Sequence, residues 1–351
     1  MLGRRLPRLH LRLAGREWPA FRVCGLVGLA GASALATTLS VMTGISVGVQ
    51  ALIIALAVLT FLALSLATKV LSGREALIYY HHEVAVLAVT AAATAALGAP
   101  VLAHLDATAL GLGVFLACGR VGCLLVGCCH GRPARRHGVI YGRGHVEEGF
   151  PAHLAGVALV PVQAIEAAVV GVLVAAGAAA VVLGAPPGTG LAVYVGGYAV
   201  ARFGLELLRG DECRHSALGL SEAQWTSIAL LVGMSGTGHS GGMLALCAVA
   251  ALVPLALRQA HRPGGQVRRP AHVRELAETL DGSAPAAVVA TSAGLRVSWG
   301  EDAGARHYTL SGGGPGAAAA AAEVVRRLRH PAARAELVAG HGDITHLVVL
   351  P

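Results

Sequence analysis

The chain has 351 residues, of which 55% are hydrophobic and only 13% are charged, and its mean hydropathy is +0.66. Ordinary soluble domains carry roughly 25% charged residues, so the composition excludes a pair of such domains and indicates a protein that lies mostly in a lipid bilayer. The net charge of +8 suits contact with anionic membrane lipid, whereas an aromatic content of 4% and scattered arginines argue against a nucleic-acid partner.

Apolar runs of about 20 residues predict membrane-spanning helices. The predicted spans are 23–43, 47–69, 84–104, 107–129, 156–183, 189–208 and a glycine-interrupted region, 222–257. That last region fits either one bent helix or a half-helix plus a full span, so the count is seven or eight, and we predict about seven. The preceding residues, 1–22, are basic and predict an amphipathic segment on the membrane surface.

The composition changes near residue 261. We predict a transmembrane domain over 23–260, a linker over 261–270 and a small soluble domain over 271–351. Within the soluble part, alternating stretches predict short strands near 286–292, 295–299 and 307–311, followed by a helix over 317–329 and a last strand over 345–350. The predicted fold class is an all-α polytopic membrane protein with a small C-terminal α+β soluble appendage.

Arg120 lies inside an apolar run, ATALGLGVFLACGRVGCLLVGCCHGRP, that covers residues 107–133. A guanidinium near hydrocarbon depth is costly unless it faces a protein-lined or wet cavity. Its five donors match the oxygens of an anionic lipid headgroup. We therefore predict that Arg120 belongs to a functional site.

The segment YYHHE places His81 and His82 between two tyrosines and Glu83. Histidine takes up a proton near neutral pH, and a neighbouring carboxylate raises its basicity. His81 and His82 are therefore candidate bases. The alternative is that the histidines and tyrosines only mark the membrane interface.

The helix predicted over 189–208 and the turn after it carry polar side chains on one face, at Tyr198, Arg202, Glu206 and Arg209. Arg202 and Glu206 can pair, which lowers the cost of holding either in the membrane, and a purely structural ion pair is the alternative. Gln163 and Glu166 add a second polar pair at the start of another span. Together these residues suit a cavity for a phosphate-bearing lipid.

Six of the seven cysteines lie in or beside apolar runs, where a free thiol behaves as a small hydrophobe. Cys123, Cys128, Cys129 and His130 raise the question of zinc, but the spacing C-x4-C-C-H is unlike the usual paired knuckles and no second ligand pair is evident. We predict helix packing by small residues, with no metal and no other cofactor.

Four blocks of the chain, in order, resemble the prolipoprotein diacylglyceryl transferase family. They are GRVGCLLVGCCHGR (119–132), PVQAIE (161–166), RFGLELLRGD (202–211) and GLSEAQWTSI (219–228). The chain looks like a divergent member: Cys123, Val126 and Cys128 stand where the family signature G-R-x-G-N-F-x-N-G-E-x-x-G-R has two asparagines and a glutamate. Val160 replaces the histidine that leads the second block, and His81 lies near the position of the family's essential histidine.

The resemblance implies transfer of a diacylglyceryl group from phosphatidylglycerol to the lipobox cysteine of bacterial prolipoproteins, in the inner membrane. The implied catalytic residues are Arg120 and Arg202, which hold the phosphate, and His81, the base that competes with His82. The implied substrate-binding residues are His82, Gln163, Glu166, Tyr198, Glu206 and Arg209. The partners are then phosphatidylglycerol, other membrane lipid and prolipoprotein signal peptides.

Two other functions remain open. The first is a different phospholipid-processing transferase on the same scaffold, which the replaced asparagines and glutamate favour. The second is a non-catalytic lipid-binding membrane protein that acts through its C-terminal domain.

Overall fold

The computed structural model describes residues 7–73, 79–134, 137–212, 216–235, 240–330 and 333–350. Its first two-thirds is mainly helical. The long helices are α1 (Ala20–Thr43), α2 (Val47–Ser72), α3 (Tyr79–Ala96), α4 (Val101–Val126), α6 (Val162–Val182), α9 (Glu222–Ser235) and α10 (Ser240–Ala260), and a short α5 covers Arg143–Glu147. A further helix runs from α7 (Thr189–Leu191) through a π-helical turn (Ala192–Gly196) into α8 (Gly197–Leu205) and a 3-10 turn (Glu206–Leu208).

Five of the described helices are long and apolar enough to cross a membrane, namely α1, α2, α4, α6 and the continuous helix Thr189–Leu208. The chain is thus a multi-pass membrane protein, and five of the seven predicted spans are supported. The predicted interruption of the last span near Gly236 and Gly238 lies outside the described residues.

The boundary between the third and fourth helices differs from the prediction. The spans 84–104 and 107–129 were separated at Leu105–Asp106, whereas α3 ends at Ala96 and α4 already begins at Val101. Gly98 has φ +63°, and Pro100 has no N–H to donate and keeps the residue before it out of the helical region, so the chain turns there. As a result Asp106 lies within α4, where it accepts hydrogen bonds from the backbone N–H groups of Gly188 and Leu191 at 2.8 and 2.7 Å.

The fifth predicted span begins too early. Residues 156–161 lie outside the helix, and α6 starts at Val162, directly after Pro161. Within the preceding stretch, β4 (Ala158–Leu159) pairs antiparallel with β3 (Val139–Ile140). This small sheet holds the loop that follows α4 against the start of α6.

The N-terminal segment contains a β-hairpin, which the basic charges of residues 1–22 did not predict. Strand β1 (His10–Leu13) pairs with β2 (Arg16–Pro19), and Ala14 and Gly15 form the turn with φ of +49° and +76°. Such positive φ values suit a tight two-residue hairpin loop. Helix α1 begins immediately afterwards at Ala20.

Helix α4 is the centre of the bundle and packs against α1, α3 and α6. The close contact with α1 depends on small residues: a Cβ at Gly28 would lie 2.9 Å from the Cβ of Cys118, and one at Gly111 would lie 3.0 Å from the carbonyl oxygen of Ala32. Such contacts bring helix backbones together in a membrane. The central position of α4 explains why Arg120 is surrounded by protein.

The C-terminal part is a small α+β domain, as predicted. Its elements are α11 (Pro270–Gly282), β7 (Val289–Ala290), β8 (Leu295–Asp302), β9 (Ala305–Gly312), α12 (Ala317–Arg329), β10 (Ala335–Ala339) and β11 (Thr345–Val349). The antiparallel sheet has the order β10-β11-β9-β8-β7, and α11 and α12 pack on it. The predicted helix 317–329 is confirmed, whereas α11 and β10 were not predicted.

This domain is docked on the loops of the membrane domain. Val273 and Ala277 of α11 and Leu328 of α12 share a core with Tyr141 and Phe150. The predicted linker 261–270 takes part in the packing too, because a 3-10 turn (Gln266–Arg268) buries Val267 in the core of the C-terminal domain. In the membrane domain, two further short strands, β5 (Ser216–Ala217) and β6 (Leu220–Ser221), form a hairpin before α9.

Candidate functional site

Three buried polar side chains from different helices, Arg120, Glu166 and Tyr198, lie in contact with one another. The Nε of Arg120 on α4 lies 3.0 Å from Oε2 of Glu166 on α6. The hydroxyl of Tyr198 on α8 donates a 2.7 Å hydrogen bond to Oε1 of the same carboxylate. Arg120 is 8% exposed and Glu166 is 1% exposed. The fold therefore brings together three candidate site residues that lie in three separate segments of the chain.

The contact between Arg120 and Glu166 is close but poorly directed. Neither the Nε of Arg120 nor the Oε2 of Glu166 has a hydrogen-bond partner of good geometry among the described residues, although both atoms are fully buried. Their attraction is therefore mainly electrostatic. A buried donor that is not well satisfied is available to an anionic ligand at little cost.

A second ion pair lies one turn further along the helix that carries Tyr198. Nη1 of Arg202 is 2.6 Å from Oε2 of Glu206, and both side chains are nearly buried. Arg202 is close enough to Tyr198 to act electrostatically on its hydroxyl. The π-helical turn before α8 rotates the helix and stacks the rings of Tyr194 and Tyr198 at 6.1 Å. Such turns often occur at functional sites.

Arg209 is held by the loop that follows this helix. Its guanidinium forms two 2.8 Å hydrogen bonds with Asp211. Its backbone lies in a β-bridge with Gly131, and the neighbouring amide of Gly210 donates to the carbonyl of His130 at 3.0 Å. This strand-like contact joins the loop after α4 to the loop after α8 and places the Arg209 charge within electrostatic reach of Arg120.

Gln163 fixes the turn that follows α4. Its side-chain Nε2 donates a 2.8 Å hydrogen bond to the backbone carbonyl of Cys128, and the residue is buried. Gln163 and Glu166 lie one turn apart on α6, so one helix holds both the Cys128 turn and the Arg120 guanidinium.

The turn after α4 also gathers three thiols. The Sγ atoms of Cys123, Cys128 and Cys129 lie within 4.8 Å of one another. Cys129 adopts a left-handed conformation with φ +54°, which is uncommon for a residue with a side chain. Within the described residues these are the side chains whose geometry suits a metal ion, and the prediction of no metal remains untested.

The two histidines lie on different sides of α3. His82 is buried, with Nε2 3.2 Å from Oγ of Ser65 and its ring 4.5 Å from that of Phe61. It packs between α2 and α3. His81 is 56% exposed, and its Nε2 lies 3.7 Å from Oε1 of Glu222 on α9.

Tyr80 connects His81 with the arginines. It contacts Glu222 and Thr226 and lies within electrostatic reach of Arg202. His81 therefore belongs to the α8–α9 side of the site, whereas His82 belongs to the helix packing on the other side.

Glu83 is a candidate that the sequence analysis did not select. It is 3% exposed, its Oε1 has no hydrogen-bond partner in the part of the chain that the structure describes, and it lies beside Tyr194. The signal was the same as for Arg120, an ionisable residue in an apolar run, but Glu83 was considered only as the neighbour of the two histidines.

Comparison with known families matches the part of the chain that holds these residues. Residues 78–237 match the family model described as prolipoprotein diacylglyceryl transferase. Over these residues the chain is similar to this family. No curated protein and no solved structure gave a significant match. The prolipoprotein diacylglyceryl transferase family is a family of transferases, and its matched range includes every candidate site residue from His81 to Arg209 but neither the helices α1 and α2 nor the C-terminal domain.

Proposed function

We propose that this protein transfers the diacylglyceryl group of phosphatidylglycerol to the lipobox cysteine thiol of bacterial prolipoproteins in the inner membrane. The observation that carries the proposal is the buried group of Arg120, Glu166 and Tyr198, with Arg202 one turn away, inside the family-matched range. The group holds guanidinium donors at membrane depth, where a phospholipid headgroup needs partners for its phosphate oxygens.

The reaction replaces one bond at the glycerol carbon of the lipid. The thiolate sulfur forms a C–S bond with that carbon, the C–O bond to the phosphate breaks, and its electron pair leaves with glycerol 1-phosphate. The leaving group gains negative charge, so donors aimed at the phosphate lower the barrier. Arg120 and Arg202 serve as these donors, and Arg209 is a third.

The remaining residues of the site orient the arginines. Glu206 holds the Arg202 side chain at 2.6 Å, and Glu166 holds Arg120 while Tyr198 fixes the carboxylate. A carboxylate beside each guanidinium keeps the site near neutrality without a ligand. Gln163 shapes the headgroup pocket through its bond to the Cys128 carbonyl.

His81 is the proposed base that removes the thiol proton, because the thiolate is the true nucleophile. Its exposure leaves it open to a peptide substrate, and Glu222 at 3.7 Å stabilises the imidazolium that forms. His82 packs against Phe61 and is the weaker candidate for this role, and we propose that it contributes to substrate binding through Phe61, which lines the apolar cavity between α1, α2 and α4.

An apolar cavity of about 420 Å³ between α1, α2 and α4 suits the acyl chains of the donor lipid. Its lining includes Leu29, Ile54, Phe61 and Phe115, and also the cationic Arg22. We expect the two remaining spans of the predicted seven to come from α3 and α10.

The proposal is tested by transfer of labelled diacylglycerol from phosphatidylglycerol to a lipobox peptide in detergent. Arg120→Ala and Arg202→Ala should each lower the rate by on the order of 100-fold. Arg143→Ala, which changes an exposed arginine on α5, is the control and should keep the wild-type rate. A wild-type transfer rate in Arg120→Ala would contradict the proposed role of Arg120 as a donor to the phosphate.

A changed donor is the second candidate, and one observation favours it: Cys123 and Cys128 replace an asparagine and a glutamate of the family signature beside Arg120. The same assay, run with other phospholipids, separates the two. Consumption of another phospholipid while phosphatidylglycerol is inert would support this candidate. If the chain consumes no phospholipid but its cellular phenotype is lost on deletion of residues 264–351, a lipid-binding role through the C-terminal domain is favoured.

A further inference from the structure

The three thiols at the end of α4 are close enough to share one ligand. Zinc binds thiolate at about 2.3 Å, which places the sulfurs of a tetrahedral site about 3.8 Å apart. The Sγ atoms of Cys123, Cys128 and Cys129 already lie within 4.8 Å of one another. A shift of about 1 Å or less, within the range of side-chain rotation, brings them onto a common ion.

The backbone is held in the shape that gathers these thiols. Helix α4 ends at Val126, and Gly127, with φ +90°, turns the chain back. A Cβ at Gly127 would lie 2.9 Å from the ring of Phe150, so the turn is packed against the loop between α4 and α6. Cys129 then takes its left-handed conformation, a costly state that persists only where the surroundings impose it.

Two guanidinium groups lie near the cluster. Arg120 and Arg209 both lie within electrostatic reach of Cys129. Three thiolates and a divalent cation carry a net charge of about −1, and the positive field of these guanidinium groups acts on it. Cys123 is buried, Cys129 is half-buried and Cys128 is exposed, so the cluster opens on one side.

We propose that Cys123, Cys128 and Cys129 bind Zn²⁺ and leave its fourth coordination position open to a thiol ligand. Three protein ligands with one open position are typical of reactive zinc sites, whereas structural sites are closed by a fourth residue. The metal site stands independently of the proposed function. The identification of the fourth ligand as the prolipoprotein cysteine rests on the proposed function.

When the prolipoprotein cysteine is the fourth ligand, the binding step balances in protons and electrons. The substrate S–H bond breaks, the sulfur binds zinc as a thiolate, and the proton leaves to a base such as His81 or to water. The zinc-bound sulfur then keeps its lone pairs for the bond to the lipid carbon. No oxidant or reductant is needed.

The metal site is tested without reference to transfer activity. The full chain, purified in detergent under reducing conditions, is loaded with Zn²⁺ and its metal content is measured after desalting. We expect about one Zn²⁺ per chain, and a loss of at least half of it in Cys123→Ser, Cys128→Ser and Cys129→Ser. Cys247→Ser, which removes an exposed thiol on α10, is the matched control and should keep the full content.

A second measurement uses the wild-type chain alone. Zn²⁺ should slow alkylation of Cys123, Cys128 and Cys129 but not of Cys247, and a chelator should reverse this protection. Wild-type protein that retains no more Zn²⁺ than the serine variants would overturn the proposal, and so would a disulfide among the three cysteines that persists under reducing conditions. Loading with Cu⁺ but not Zn²⁺ would also overturn it.

The open position is tested with Co²⁺ in place of zinc, because its absorption reports thiolate ligands. A lipobox peptide should increase the thiolate-to-cobalt absorption, whereas the peptide with serine in place of its cysteine should not. Metal binding without this response would overturn the open fourth position. Transfer activity without metal binding would overturn the zinc site and leave the proposed function intact.

Discussion

At the scale of single residues, the site depends on one shared carboxylate. Glu166 receives the Arg120 guanidinium on one oxygen and the Tyr198 hydroxyl on the other. Burying a charge is costly unless partners compensate it, so each of the three residues depends on the other two. Arg120 and Glu166 are poorly aligned as a hydrogen-bonded pair, and the Tyr198 hydroxyl is therefore the contact that directs the carboxylate.

Removal of the Tyr198 hydroxyl should affect both stability and function. We expect Tyr198→Phe to lower the free energy of unfolding by about 2 kcal/mol, as is typical for a hydrogen bond to a charged group, and to lower the transfer rate as well. Thermal unfolding in detergent and the transfer assay measure the two effects.

The matched control is Tyr141→Phe, which removes a 2.9 Å hydrogen bond to the carbonyl of Leu124. It should cost about 1 kcal/mol and leave the transfer rate unchanged. Equal transfer rates in the two variants would contradict the role given to Tyr198.

At the scale of elements, the loop after α4 and the loop after α8 are joined through their backbones. The amide of Arg132 donates to the carbonyl of Leu208 at 3.0 Å, and the carbonyl of His130 accepts from Gly210 at the same distance. Gly131 lies between these contacts and bridges to Arg209. This connection keeps the Arg209 charge near the end of α4, where the other charges and the thiols are.

A side chain at Gly131 should push the loop after α4 away from the start of α6 and so disturb its connection to the loop after α8. A Cβ there would overlap the carbonyl oxygen of Val160 and lie 2.8 Å from Cγ2 of Val162. We expect Gly131→Ala to destabilise the protein by about 1–3 kcal/mol, as overpacking does, and to lower the transfer rate. Thermal unfolding and the transfer assay are the measurements.

Gly142→Ala provides the comparison, because a Cβ at Gly142 meets nothing within 4 Å and its φ of −101° suits any residue. It should change the stability by less than about 0.5 kcal/mol. A Gly131→Ala variant as stable as Gly142→Ala would contradict the close packing of Gly131 against Val160 and Val162.

At the scale of the whole molecule, the C-terminal domain is packed on the loops that carry the site. Arg274 of α11 pairs with Glu212 at 3.0 Å, and Arg327 of α12 donates to the carbonyl of Pro133 at 3.3 Å. His153 lies at this interface. Burial, together with the charges of His130, Arg274 and Arg329, lowers its pKa to about 4.

The docking should weaken on acidification. The pKa of His153 in the folded protein lies below the ordinary value of 6.5, so its contribution to stability is complete above pH 6.5 and is lost as the pH falls towards 4. Hydrogen exchange in α11 should therefore become faster between pH 6.5 and 4. The measured rates need correction for the intrinsic pH dependence of exchange.

His153→Asn keeps a polar side chain but cannot take up this proton, so the pH dependence should become smaller. His341, an exposed histidine outside the interface, gives the control variant His341→Asn, in which the wild-type pH dependence should persist. An unchanged dependence in His153→Asn would assign the effect to another group.

The sequence by itself determined five of the segments that can cross the membrane, which residues carry charge there, and the C-terminal helix over 317–329, because these features depend on local hydrophobicity and periodicity. It also indicated the family through four short blocks, and the match over 78–237 bears this out. Arg120, Glu166, Tyr198 and Arg202 were selected because an ionisable or polar residue in an apolar run is rarely accidental.

Only the tertiary structure decided how these residues combine. The turn at Gly98–Pro100 set the true start of α4, and the hairpin at residues 10–19 replaced a simple amphipathic segment. The separation of His81 from His82, the burial of Glu83 and the approach of Cys123 to Cys128 and Cys129 depend on how helices and loops pack. Contacts between residues far apart in the chain are set by that packing, which local sequence patterns do not encode.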